Sequence, residues 1–191
     1  MDTFAERRPD LCTKVRVFEV DHPATQGWKR ARFEQCSVTV PPNLVFAPVD
    51  FERETLADGL RAVGFDFDAA AVFAWIGVTM FLSRDAIVST LDLIASCTPG
   101  TRLVLTYNQP SAALDGLGAQ TQVALARISA EMGEPFVSLF RPGEIEKLMS
   151  DCGFTELVHI GPDEALAMYF QDRPDVRFGG AQRIIAGTVR R

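Results

Sequence analysis

The chain has 191 residues, 47% of them apolar and 23% charged, with a formal net charge of −6 at pH 7. That length fits one domain, and a domain of this size buries roughly 70% of its unfolded surface. The composition excludes disorder, collagen and coiled coil, and the acidic balance without a basic stripe argues against a nucleic-acid partner.

The first β-rich run is Val15–Val20, ending at Asp21. Pro23 suits a first helical position, and Ala24–Gln35 reads as a helix. Asn43–Val49 is a second strand, ending at Asp50, and residues 52–63 read as a helix stopped by Gly64. Ala70–Gly77 is a third strand, apolar on both faces, as a covered parallel sheet requires. Ser83 can cap the next helix, whose Ile87, Leu91 and Ile94 share a face. Thr101–Tyr107 is a fourth strand. Strands and helices alternate to this point, which signals a doubly wound α/β sheet.

The tail reads as a helix over Ser111–Met132 with Gly116, Gly118 and Gly133 as weak points. After it comes a helix begun by Pro142 and closed by Gly153. Two late strands, Glu156–Ile160 and Arg183–Val189, are expected to pair at one sheet edge. Between them lie a helix from Pro162 to Phe170 and the loop Gln171–Gly180, long enough to be functional or mobile. One domain, residues 1–191, is expected.

The cysteines, Cys12, Cys36, Cys97 and Cys152, form no CxxC pair and meet only two histidines, so a zinc site is disfavoured. They read as reduced, mostly buried thiols of a cytoplasmic protein. The start MDTFAERRPD is no signal peptide, and the apolar stretch Ala69–Leu82 is too short to cross a bilayer.

Ligands of doubly wound sheets sit outside the carboxyl ends of the strands, where Asp21 and Asp50 fall. A carboxylate after the second strand of a nucleotide fold can accept both ribose hydroxyls in a charge-assisted contact. An acid after the third can accept the exocyclic amine of adenine. Phe51 beside it offers a ring to the purine, a contact type worth about 1–3 kcal/mol. Each acid could equally cap the helix on its C-terminal side, and Phe51 could be core.

The wording around these acids resembles a known family. Val17-Phe-Glu-Val-Asp-His-Pro23, Pro48-Val-Asp-Phe51 and Phe73-Ala-Trp-Ile-Gly-Val-Thr-Met-Phe-Leu82 are similar to the leucine carboxyl methyltransferase family, in its bacterial, mycobacterial-type branch. Gly133-Glu-Pro-Phe-Val-Ser-Leu-Phe140 and Gly153-Phe154 extend the likeness to nearly the whole chain. The resemblance implies the class I methyltransferase (Rossmann-like) sheet, with its last strand antiparallel, and S-adenosyl-L-methionine as cofactor. It implies that Asp21 binds ribose and that Asp50 and Phe51 contact adenine.

The segment Met1-Asp-Thr-Phe-Ala5 resembles the stretch immediately after the family's glycine-rich loop. The expectation is therefore an N-terminally truncated domain without its first, central strand. Ile76 stands where protein-carboxyl methylating members carry an acid for the methionine end of the cofactor. A chain so cut is expected to bind cofactor weakly or not at all, with unpaired strand edges closed by sliding, by local disorder or by pairing into a homo-oligomer or aggregate. The expected activity is methyl transfer to an oxygen of a small molecule or a protein terminus. A carboxylate acceptor needs no general base at pH 7, whereas a hydroxyl does; His22, Tyr107 and Asn108 are the candidates near the strand ends. The alternatives are an inactive remnant serving as a binding or structural protein, and a nicotinamide-dependent dehydrogenase.

Overall fold

Every strand expected from the sequence forms, within a few residues of its expected bounds. The computed structural model describes residues 3–51 and 53–190. Met1 and Asp2, which contribute to the family likeness, and Glu52, the expected start of the second long helix, lie outside the described residues. The chain falls into two compact units, residues 1–66 and 67–191.

In the first unit, β1 (Val17–Asp21) pairs in parallel with β2 (Leu44–Pro48), from Val17 opposite Leu44 to Asp21 opposite Pro48. A short helix α1 (Phe4–Arg7) precedes them, and α2 (Pro23–Gln35) comes after β1 with Pro23 in its first turn. The buried face of α2 is Gln26, Lys29 and Phe33, a helical repeat. Ala5, Phe33, Leu44 and Phe46 form the small core, with Val17 against it.

Lys29 is only 2% exposed. Its ammonium pairs with Glu19 on β1 and lies 3.6 Å from Glu6 on α1. It also sits 5.2 Å from the centre of the Phe33 ring. Gln26 Nε2 donates to the Glu19 carbonyl at 2.6 Å, so α2 is fastened to β1 at two successive turns.

The helix expected from residue 52 begins later, as α3 (Leu56–Ala62). The Thr55 hydroxyl accepts from the Asp58 N–H at 3.2 Å and sets the start there. Residues before it form a turn, in which the N–H groups of Arg53 and Glu54 both donate to the Asp50 carbonyl at 2.9 Å. Gly64, at φ +74, ends α3, with Phe65 N–H returning to the Leu60 carbonyl at 3.0 Å.

In the second unit, β3 (Val72–Trp75) pairs in parallel with β4 (Arg102–Asn108). The late strands are β5 (Phe154–Ile160) and β6 (Gln182–Val189), in the sheet order β3-β4-β6-β5. They pair antiparallel as a hairpin-like edge, and β6 is antiparallel to β4 as well. Helix α4 (Arg84–Ala95) is capped by the Ser83 hydroxyl, which accepts from Ala86 N–H at 3.2 Å. Its Ile87, Leu91 and Ile94 join Leu103, Leu105, Tyr107, Phe140, Ile145, Met149, Phe154, Ile185 and Val189 in the core.

The helix expected over Ser111–Met132 is divided. A 3₁₀ turn covers Ser111–Ala113, and α5 runs from Gly116 to Glu131. Gly116 has φ +48, which an uninterrupted helix does not allow. Two further helices are α6 (Pro142–Asp151) and α7 (Pro162–Tyr169). The loop after α7 has no regular structure, yet it is tied down. Gln109 Nε2 donates to the Gly180 carbonyl and Gln109 N–H to the Ala181 carbonyl, both at 2.8 Å. The Phe170 and Phe178 rings meet edge to face at 5.2 Å.

Gly118 of α5 lets this loop close on the helix. A Cβ at Gly118 would lie 2.0 Å from the Gly179 carbonyl oxygen, so the backbone would have to move. Gly118→Ala should destabilise the fold by about 1–3 kcal/mol and loosen the loop. In limited trypsin digestion the variant should be cut first, and faster than the parent, at Arg177, because Pro174 protects the bond after Arg173. Equal cutting rates would contradict this packing.

Candidate functional site

The parallel register of β1 and β2 brings their carboxyl ends together. The Asp21 carbonyl accepts from Val49 N–H at 3.0 Å, one residue before Asp50. Asp21 and Asp50 therefore stand at one end of one sheet, with Phe51 next in sequence. Phe51 is 59% exposed and is not a core residue.

The cap of α2 is His22, not Asp21. His22 Nδ1 accepts from Ala24 N–H at 3.2 Å. Asp21 Oδ1 accepts only the His22 N–H, at 2.7 Å, among the described residues. The acid is thus oriented at the end of the strand without being consumed by the helix. Asp50 is held differently: its carboxylate lies 3.3 Å from Arg53 Nε, and its N–H donates to Glu54 Oε1 at 3.2 Å. Arg53 is 84% exposed, so solvent screens that ion pair. Asp50 caps no helix, because α3 begins at Thr55's cap.

In the second unit, Ile76 lies just past the end of β3 and is 54% exposed. Tyr107, a candidate base by its place near a strand end, is fully buried. Its hydroxyl lies 3.2 Å from His159 Nδ1, and His159 Nε2 lies 3.4 Å from Glu146 Oε2. Burial pushes the phenol up to about 12, against the opposing pull of the Arg183 guanidinium. A phenol so held stays protonated at neutral pH and is unsuited to act as a base. Asn108 is buried, with its side chain toward Gln122 of α5.

The thiols are less buried than the sequence suggests: Cys97 is buried, Cys12 and Cys152 are half-buried, and Cys36 is exposed. All four are free. Burial raises the Cys97 thiol pKa, and it pushes Cys152 up to about 11, with the Asp92 carboxylate adding to the effect. Among the described residues no group of His, Cys, Asp and Glu could hold a metal ion. No described helix is long and apolar enough to cross a membrane.

Known structures share this architecture. A candidate methyltransferase from Thermobifida fusca YX is 25% identical, with a TM-score of 0.60, covering 92% of this chain and 64% of that one. Human N-acetylserotonin methyltransferase, solved in complex with SAM, is 13% identical with a TM-score of 0.56, over 98% of this chain and 44% of that one. The latter likeness is one of fold alone. The fold is that of the class I methyltransferases.

Residues 1–95, just under half of the chain, match the leucine carboxyl methyltransferase family. The Bacillus subtilis (strain 168) protein YktD, named as a candidate S-adenosyl-L-methionine-dependent methyltransferase, is 32% identical over 177 residues. The match covers 92% of this chain and 58% of YktD, so the chain spans little more than half the length of that relative.

The Tyr107 phenol gives a pH test of this part of the sheet. Its folded pKa lies above the ordinary 10.0, so its contribution to stability is fully present below pH 10 and lost as pH rises toward about 12. Urea unfolding midpoints should fall across that window in the parent. The fall should be smaller in Tyr107→Phe, where only other groups, Cys152 among them, still titrate. An identical pH slope in both proteins would contradict the assignment.

Proposed function

We propose that this protein is an S-adenosyl-L-methionine-dependent methyltransferase acting on an oxygen, with residues 1–191 contributing to one methyltransferase domain. The observation that carries the reading is the pairing of Asp21 and Asp50 at the carboxyl ends of adjacent parallel strands. The residues fit the adenosine half of the cofactor. The Asp21 carboxylate has the two acceptor oxygens that a ribose diol requires. Asp50 can take the adenine amine by exchanging its screened contact with Arg53, and Phe51 presents an exposed ring to the purine.

The bound cofactor supplies a sulfonium methyl group, whose leaving group needs no proton. What remains for the chain is to hold the acceptor in line, a contribution of about 7–11 kcal/mol when alignment is good. None of the strand-end candidates is placed as a general base: His22 is engaged as a helix cap and Tyr107 is buried and protonated. That favours an acceptor already ionised at neutral pH, a carboxylate on a small molecule or a protein terminus.

Calorimetry tests the reading. S-adenosyl-L-methionine and adenosine should both bind this chain weakly and with similar affinity, because Asp21, Asp50 and Phe51 reach only the adenosine half. Asp21→Asn should weaken both by about 1.5–3 kcal/mol, the range for a hydrogen bond to a charged group. Asp50→Ala with Phe51→Ala should weaken both again. Affinity unchanged by these substitutions would overturn the site assignment.

A further inference from the structure

The unit of residues 67–191 holds a second polar feature. Strand β4 lies between β3 and β6 and is buried over most of its length, so apolar residues are expected on both faces. One face obeys, with Leu103, Leu105 and Tyr107 all fully buried. The other turns polar toward the carboxyl end, at Thr106 and Asn108, both 4% exposed. Thr106 is fully used: its hydroxyl accepts from Gly77 N–H and its carbonyl from the Thr79 hydroxyl, both at 2.7 Å.

Asn108 is not used so well. Its Nδ2 reaches Gln122 Oε1 only at 3.5 Å, and its Oδ1 receives Gln182 Nε2 only at 3.4 Å. Both are longer than an ordinary N–H···O bond. Gln122 is 2% exposed, and its Nε2 donates to nothing among the described residues. Gln182, opposite Asn108 in the β4–β6 register, is exposed, so the cluster reaches solvent there. Arg183 falls opposite Tyr107 and so belongs to the other face of the sheet.

We propose that Gln122, Asn108 and Gln182 form a carboxamide site at the carboxyl end of β4 that takes a carbonyl-type oxygen, that of a carboxylate or an amide, from the methyl acceptor. The identification of the ligand with the acceptor rests on the methyltransferase reading; the site itself does not. An unpaired buried N–H calls for a lone pair. The three carboxamides carry no charge, which makes the site a poor match for a phosphate or a cation. They also include no base, so a hydroxyl would bind there without being activated. A ligand oxygen on Gln122 Nε2 would complete a network whose internal bonds are stretched. The strap at Gly179–Gly180 packs on Gly118 of α5, one turn before Gln122, and is held by Gln109, the residue after Asn108.

The test uses the side-chain NH₂ resonances of ¹⁵N-glutamine-labelled protein, with the Gln122 pair assigned by its loss in Gln122→Leu. Sodium acetate and acetamide are the probes, with sodium chloride as the ionic-strength control. The Gln122 pair should move saturably with acetate or acetamide and not with chloride. Asn108→Ala should weaken the better probe about two- to tenfold, the equivalent of one neutral hydrogen bond. Gln122→Leu should melt close to the parent, because removing the unpaired Nε2 offsets the loss of the stretched bond that Oε1 accepts from Asn108. It should also keep the parent's heat of S-adenosyl-L-methionine binding. A Gln122 pair that no probe moves before the exposed amides respond overturns the site, as does a Gln122→Leu variant that melts markedly lower. Probe shifts in a chain whose S-adenosyl-L-methionine binding is indifferent to Asp21→Asn would keep the site and count against the methyltransferase reading.

Discussion

A strand paired on both sides and covered on both faces has no water to satisfy its polar groups. In the larger unit that constraint falls on β4. Each group it carries must find a partner in the protein. The Thr106 carbonyl and hydroxyl fix Thr79 and Gly77 at the end of β3, and the Asn108 carbonyl fixes Phe140 N–H at 2.9 Å. Segments far apart in sequence are thereby placed by the end of one strand. Among the described residues of this unit the accounting fails at the Gln122 amide, and on the other side of the sheet at Arg183 Nε and His159 Nε2, and failures of that type gather at functional sites.

The smaller unit solves a related problem with charge. Burying the Lys29 ammonium beside Glu19 costs desolvation that the pairing must offset, so the pair contributes more to the choice of one arrangement than to net stability. The pair holds α2 against β1 while the cap at His22 sets where α2 begins. Asp21, between the two, inherits its position from both.

Much of this is legible in the sequence because the signals are local. Ser83, with Ile87, Leu91 and Ile94 after it, states both the start and the buried face of α4. The apolar runs locate the strands, and Asp21 and Asp50 are visible as the residues that end them. The errors have local causes too. Thr55 competes with Asp50 as a cap and wins, delaying α3. Gly116 is a visible weak point, but its positive φ, which divides the helix, is not written in the residue's name. The interior polar groups are illegible for another reason. Lys29 and Gln122 look like ordinary solvated helix positions, and only tertiary packing encloses them. Tyr107 is recognisable at the strand end, but its burial depends on β5 and β6, which lie more than 40 residues away.

The outer strand β5 has a consequence for how molecules of this protein meet. Its ladder to β6 is broken between Thr155 and Val158, and Glu156 sits there at φ +53. A bulged strand with a charged kink cannot template another chain's strand, which is how natural sheets guard an open flank. The opposite flank, β3, pairs with β4 in unbroken register and leaves Val72 73% exposed. On the β5 side the four-stranded sheet is therefore closed to strand-by-strand growth by its own distortion.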